Sequence, residues 1–255
     1  MPAFALLTAA SLTSLKVASL NLCTDELLLT LAAPEQIVSV THLAHKPQET
    51  TLWRQARHYP RNDGSLLSLA ARKPDLVLIM GGGGGRDRAR IARRLGIRVL
   101  DLPYPQRLAD VERGIAAVAL ALGRPAAGRR WLARIDALQR TLPDRQPDTI
   151  WLGGGGRSVP ATGLAADWMK LAGLQQRPLR GDRVSLEQLV ARPPAILLRS
   201  DYRRGQYSGE QRWLSHPLAR GTGKSRVIAT DGRVWTCMGP PMVDEVLRLR
   251  RRLGR

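Results

Sequence analysis

Residues 65–78 read SLLSLAARKPDLVL, and residues 185–198 read SLEQLVARPPAILL. Ser, Leu, Leu, Ala, Arg and Pro recur in register, and both copies end in a run of branched apolar residues. Each copy reads as a short helix, a proline that cannot continue it, and a buried strand. The closing run has the length and composition of a parallel strand covered on both faces. Two copies 120 residues apart predict two similar α/β lobes. A chain of two facing lobes places its ligand between them. The repeat identifies architecture, not ligand.

Outward from the repeat, strands and helices alternate. Lys16–Leu20 is predicted as a strand, Thr24 or Asp25 as the cap of a helix over Glu26–Leu31, and Ile37–Val40 as the next strand. Residues 42–64 read as polar and irregular. The first repeat copy runs into Gly81–Gly85, followed by a helix over Asp87–Leu95 and a strand over Arg98–Leu102. Leu108, Val111, Ile115, Val118 and Leu122 mark one helix face; Trp131, Ile135, Leu138 and Leu142 mark another. Beyond Pro147 the alternation restarts with a strand over Thr149–Leu152, Gly153–Gly156, a helix over Ala165–Ala172 and the second copy. Short strands are predicted over Arg226–Ala229 and Arg233–Thr236, then a closing helix over Pro241–Leu253. The arginines of its last turn suit the negative end of the helix dipole. The fold class is α/β: two Rossmann-like lobes with mainly parallel central sheets, a ligand cleft between them.

At 255 residues, 44% of them apolar, the chain can bury one large core or two modest ones. No run of about 18 apolar residues exists, so no membrane span is expected. The formal charge is +19. Nucleic acid, an anionic ligand and ordinary surface solvation compete as explanations. The arginines are spread along the chain rather than gathered in one arm, which favours solvation. With one Phe and four Tyr there is little for base stacking, and a nucleic-acid partner is not expected. Residues 1–15 (MPAFALLTAASLTSL) resemble a signal-peptide remnant without its cationic region, or a disordered N-terminus. Leu22 stands where a lipoprotein cysteine needs a small residue, so Cys23 is not read as lipidated. The two cysteines, Cys23 and Cys237, exclude a disulfide framework but not a single bridge. The preferred reading is two small buried hydrophobes.

Five blocks, SLNLCTDELLLTL, SLLSLAARKPDLVLIMGG, ATGLAADWMKLAGL, RVSLEQLVARPPAILL and GRVWTCMGPPMVDEVL, occur in that order. Together they resemble the substrate-binding proteins of ABC importers for cobalamin and ferric siderophores, over roughly residues 16–253. The resemblance implies an N-terminal lobe over 16–125, one long connecting helix over 126–142 and a C-terminal lobe over 143–255. It further implies a periplasmic monomer, no catalysis, no cofactor of its own, limited lobe closure, and delivery to a membrane permease with its ATPase.

Glycine runs after buried strands put bare backbone at the carboxyl ends of a sheet, where open α/β sheets bind ligands. Gly81, Gly82 and Gly83 in one lobe and Gly153 and Gly154 in the other are expected to face each other, with N–H donors available. Neither run has the Lys-Ser/Thr pair of a phosphate loop. Other candidates at the same edges are Asn21, Cys23, Thr24, His42, Trp53, Arg86 and Arg157. In the second lobe they are Asp201, Tyr202, Arg203, Cys237, Met238 and Gly239. Arg there can pair with carboxylate or phosphate. His42, His45, His58 and His216 invite a metal reading, but the first three share a loop and no metal site is predicted. No nucleophile elbow or HExxH motif occurs, and Asp25-Glu26 reads as helix capping. The expected ligand is a ferric siderophore or a corrinoid. Heme, a bare metal ion and, more remotely, nucleic acid are the alternatives.

The resemblance also implies one carboxylate at the tip of each lobe for docking on the permease. Glu187 matches it in the second copy. Leu67 occupies the position in the first, so either Asp63 four residues earlier substitutes or that lobe docks by apolar contact.

Overall fold

The computed structural model describes residues 15–254 apart from 83, 84, 203–207 and 222, and apart from the side chains of 85–89. The N-terminal segment up to residue 14, Gly83 and Arg203 lie outside the described residues, as does the side chain of Arg86.

The first lobe comprises β1 (Val17–Ser19), α1 (Leu22–Leu31), β2 (Ile37–Thr41), α2 (Trp53–Ala56), β3 (Arg61–Asn62), β4 (Leu76–Met80), α3 (Gly85–Arg94) and β5 (Arg98–Leu102). Two helices follow, α4 (Leu108–Ala121) and α5 (Pro125–Arg140). The second lobe contains β6 (Asp148–Leu152), α6 (Leu164–Leu171), β7 (Gln175–Gln176), α7 (Leu186–Ala191) and β8 (Ile196–Ser200). It continues with α8 (Gly209–Ser215), α9 (Pro217–Arg220), β9 (Arg226–Thr230), α10 (Val234–Cys237) and α11 (Met242–Leu253).

Strand order is β3-β2-β1-β4-β5 in one sheet and β7-β6-β8-β9 in the other, and every pairing between these strands is parallel. The two repeat copies deliver β4 and β8, each pairing on one side with its lobe's first strand and on the other with its last. All five residues of β4 are buried, as a strand covered on both faces requires. The copies differ in their helices. Ser185 and Gln188 cap each other reciprocally and start an α-helix. The first copy has Ser68 where the second has Gln188, and its helix is a 3-10 turn over Leu67–Arg72.

The lobes are joined through two helices side by side. The N-terminus of α4 meets the second lobe, where Asp167 accepts from Leu108 N at 3.0 Å and from the Arg107 guanidinium. The C-terminus of α4 meets the first, where Leu122 O accepts from Gln36. A Cβ on Gly128 of α5 would lie 2.6 Å from Cβ of Ala119, so glycine lets α4 and α5 approach closely. Arg250 of α11 is buried and donates to Leu138 O, Leu171 O and Thr141 Oγ1, tying the closing helix to α5 and α6. That arginine is thus a structural clamp rather than dipole compensation. One continuous set of buried side chains runs from Leu28 through Ile115 and Ile135 to Trp168 and Val246, so the lobes share a core.

Two readings of local structure are corrected. Arg233–Thr236 is not a strand: Val234–Cys237 form a helical turn closed by Met238 in the left-handed region, φ 49°. Residues 42–64 are not all irregular, since they contain α2 and β3.

Candidate functional site

Parallel strands bring their carboxyl ends to one edge of each sheet, and the chain directly after β1 is bonded to the chain after β9. Cys23 and Cys237 form a disulfide with Cα atoms 5.1 Å apart. The reading of two unpaired buried hydrophobes is thereby overturned. A period or a spacing within one element carries no information about residues 214 apart in sequence. The two sheet edges therefore face each other.

Asn21 caps α1, its Oδ1 accepting from Thr24 N at 2.9 Å while its Nδ2 donates to Met80 O. The helix thus begins at Leu22, earlier than the predicted cap at Thr24 or Asp25. Thr24 is fully buried against Ser19, Asn21 and Leu78 O. Asp25 and Glu26 are buried as well and do not serve as caps. Asp25 accepts from Thr41 N and Oγ1, and Glu26 accepts from Thr50 at 2.6 Å. Burial lifts the Asp25 carboxyl to about 6 and the Glu26 carboxyl to about 8. The second oxygen of Glu26 has no hydrogen-bond partner.

A cavity of about 270 Å³ lies against this bridge. Cys23 and Leu27 of α1, Met80 at the end of β4, Leu102 at the end of β5, and Pro103 and Pro105 after it form one wall. Val111, Gly114 and Ala117 of α4 form a second, and Cys237 and Gly239 close it from the other lobe. The lining is apolar except for Asp110 and Arg113, which pair with each other. Backbone N–H groups of Gln106 and Arg107 hold the Asp110 carboxyl below its usual range. Tyr104, between the two lining prolines, is 61% exposed. Its ring packs on Gly81, where a Cβ would fall 2.0 Å from a ring carbon.

A second, more polar pocket of about 550 Å³ opens at the carboxyl edge of the other lobe. Gly153, Gly154, Arg157, Tyr202 and Trp151 line it together with Ser200, Ser208, Glu210, Trp235 and Thr236. Arg157 and Glu210 pair at 2.8 Å, and the Trp151 and Trp235 rings lie 5.8 Å apart. Helix α10 divides the two spaces: Trp235 and Thr236 face the polar pocket and Cys237 the apolar cavity. Beside them the Tyr202 hydroxyl donates to Glu49 at 2.8 Å, and Arg233 donates to Pro47 O, crossing between lobes.

Other expected positions are engaged elsewhere. Gly81 N donates to Leu102 O and Gly82 N to Asp101, so these N–H groups are already satisfied and neither residue lines the cavity. Gly153 N donates to Arg157 O. Asp201 accepts from Gly232 N, and Met238 O accepts from the Trp168 indole. His42 is exposed at the end of β2, and Trp53 is covered by Arg54 and Arg57. Burial together with Arg61 and Arg57 holds His45 below its usual pKa. Among the described residues no three His, Cys, Asp or Glu side chains converge to hold a metal.

A larger groove of about 590 Å³ lies between α1, α5 and α11. Its three carboxylates are each taken up by an arginine, Glu245 by Arg248 of the lining and Asp244 and Asp231 by Arg134 and Arg233 outside it. It therefore offers less to a ligand than the cavity at the bridge.

Sequence reasoning missed Leu27, Leu102, Tyr104, Gly114, Ala117 and Glu49. The Pro103-Tyr104-Pro105 segment directly after a predicted strand was a usable signal. The small residues of α4 were hidden because periodicity marks only the core-facing stripe.

The sequence model of a family described as periplasmic binding protein matches residues 17–231. No curated protein matches the sequence. Among solved structures, the periplasmic heme-binding protein HutB of Vibrio cholerae is 18% identical with a TM-score of 0.68, covering 94% of this chain and 99% of that one. The periplasmic heme-binding protein RhuT from Roseiflexus sp. RS-1 is 22% identical with a TM-score of 0.65, covering 93% and 98%. The periplasmic vitamin B12-binding protein BtuF of Vibrio cholerae is 17% identical with a TM-score of 0.64, covering 95% and 97%. At such identities the likeness is one of fold.

Proposed function

Because the chain belongs to the periplasmic binding protein family, we propose that it captures a bulky organic metal chelate between its lobes and hands it to an ABC importer permease. The observation that carries this reading is the apolar cavity at the facing sheet edges, closed by residues of both lobes. Its wall of Leu27, Met80, Leu102, Pro103, Pro105 and Val111 suits a ligand with an apolar face. A hydrated bare ion finds no ligand set there. The basic composition favours an anionic ferric chelate, but the cavity itself favours a tetrapyrrole, corrinoid or heme, over a hydrophilic siderophore.

At about 270 Å³ the cavity is below the roughly 300–1,000 Å³ of enclosed ligand pockets. The ligand therefore inserts one edge there and lies across the cleft, its polar periphery toward Arg157, Ser158 and Tyr202. Heme, which HutB and RhuT are described as binding, is favoured by one further observation: an exposed Tyr104 phenol stands beside the cavity.

Glu187 is the docking carboxylate on the second lobe. On the first, exposed Leu67 makes the apolar contact and Asp63, whose carboxyl is held below its usual pKa by bonds to Ser65 and Ser68, stands four residues before it.

Titration of the purified chain with hemin, cyanocobalamin and a set of ferric siderophores, followed by tryptophan fluorescence and visible absorbance, tests the reading. Saturable one-to-one binding of a tetrapyrrole is expected. Binding of siderophores alone would overturn the ligand class, and binding of none of them the chelate reading itself.

A further inference from the structure

We propose that the Cys23–Cys237 disulfide is a thiol-addressable latch between the lobes, which a dithiol reductant reaches through the apolar cavity and opens, loosening the cleft. Opening of the bridge can be tested without a ligand; its effect on ligand retention rests on the function proposed above.

The placement of the bridge carries the inference. Its two sulfurs come from opposite lobes, one in the first turn of α1 and one at the last residue of α10. Both cysteines line the same cavity, so the bond is open to a small thiolate without unfolding of either lobe. Exchange rates depend on such access.

Beyond the apolar core that the lobes share, the polar ties at this seam are few. Tyr202 to Glu49 and Arg233 to Pro47 are the hydrogen bonds described across it beside α10. Glu26, buried close to Cys23, has Asp231 of the other lobe as a like-charged neighbour, and Asp231 is held by Arg233 of its own lobe rather than by the first. Helix α10 is four residues long and holds Trp235 and Thr236 against one pocket and Cys237 against the other. Its displacement reshapes both.

The chemistry balances with a dithiol as the reductant. Its thiolate attacks one bridge sulfur, forming a mixed disulfide and expelling the other cysteine as a thiolate. Its second thiol then displaces the remaining cysteine. Two electrons pass to the bridge, the protons of the dithiol end on the two cysteines, and the reductant leaves as a disulfide.

The test uses the full oxidised chain, treated with dithiothreitol under native conditions and desalted. Two titratable thiols should appear. Amide hydrogen exchange in Leu22–Leu31 and Val234–Cys237 should accelerate by roughly tenfold or more while β4 and β8 keep their protection, as opening of one local unit requires. A Cys23→Ser/Cys237→Ser chain should exchange at the fast rate and ignore dithiothreitol; if it fails to fold, the reduced native chain decides. Reduction only in denaturant, or unchanged exchange after reduction, overturns the latch. Whichever of hemin or cyanocobalamin the oxidised chain binds should be held roughly tenfold more weakly after reduction, since a cleft populated less often in its competent form binds in proportion. An oxidised chain that binds neither refutes the ligand reading, while the exchange data still judge the latch.

Discussion

The hydroxyl of Tyr202 donates to the carboxylate of Glu49 at 2.8 Å, joining the loop after β8 in one lobe to the loop after β2 in the other. Glu49 is only 7% exposed. Removing a donor from a buried carboxylate costs more than removing a donor from a solvated one.

Tyr202→Phe keeps the ring and deletes the donor. It should destabilise the chain by about 2 kcal/mol, the value of a hydrogen bond to a charged group. Urea unfolding followed by circular dichroism measures this. An unchanged midpoint would show that the bond contributes nothing to holding the lobes.

Glu26 sets a dependence on pH. Burial raises its carboxyl from the ordinary 4.5 to about 8, opposed by the Thr50 hydrogen bond and assisted by Asp25 and Asp231. A group whose pKa is higher folded than unfolded makes the folded chain the better proton binder. Stability from this source is therefore lost as pH climbs from about 4.5 to about 8. Glu26→Gln cannot ionise, so its stability relative to the native chain should improve steadily across that window. Asp25 is common to both chains and cancels. Denaturation curves at the two ends of the window decide; a constant difference removes Glu26 from the account.

Gly81 has φ 82°, and a side chain there meets the Tyr104 ring. Gly81→Ala should cost about 2 kcal/mol through backbone strain and displacement of the ring. Adding Tyr104→Ala should return the steric part and leave the backbone part, a coupling that a double-mutant cycle reads directly. Additive losses would mean the two residues do not interact.

Glu187 is not needed to start its helix, because Ser185 and Gln188 complete the cap between them. Its carboxylate is exposed and held below its usual pKa by Ser185. Glu187→Ala should change stability by less than about 0.5 kcal/mol, as other surface substitutions do. Permease association should weaken, most clearly at low salt, because a rim ion pair acts through association rate and orientation. Wild-type transport by this chain, or an equal loss of ligand binding, would sink the docking assignment.

The repeat made the two-lobe fold legible because each copy carries its own stop and its own buried strand, and neither depends on distant residues. The Val234–Cys237 turn was illegible for the opposite reason. Val, Trp, Thr and Cys favour extended backbone, and packing between two pockets overrides that preference. In the site, Cys237 and Gly239 were picked as following a strand that is in fact the α10 turn; Cys23 was reachable as a residue that follows a strand. The bond joining the cysteines was not, nor was the burial of Thr24 and Asp25, which depends on how α1 lies against β1 and β2. The glycine runs were placed at the right sheet edges, but the N–H groups of Gly81 and Gly82 are satisfied within their own lobe.

The bridge also bears on how the molecule is made. With two cysteines in the sequence, oxidation has one intramolecular product, and no scrambled isomer needs repair. As the chain emerges from its N-terminus, Cys23 waits through 214 residues for its mate. A chain cut short anywhere before residue 237 keeps an unpaired thiol on α1. The finished bond is thus a chemical receipt that both lobes have been synthesised and brought together.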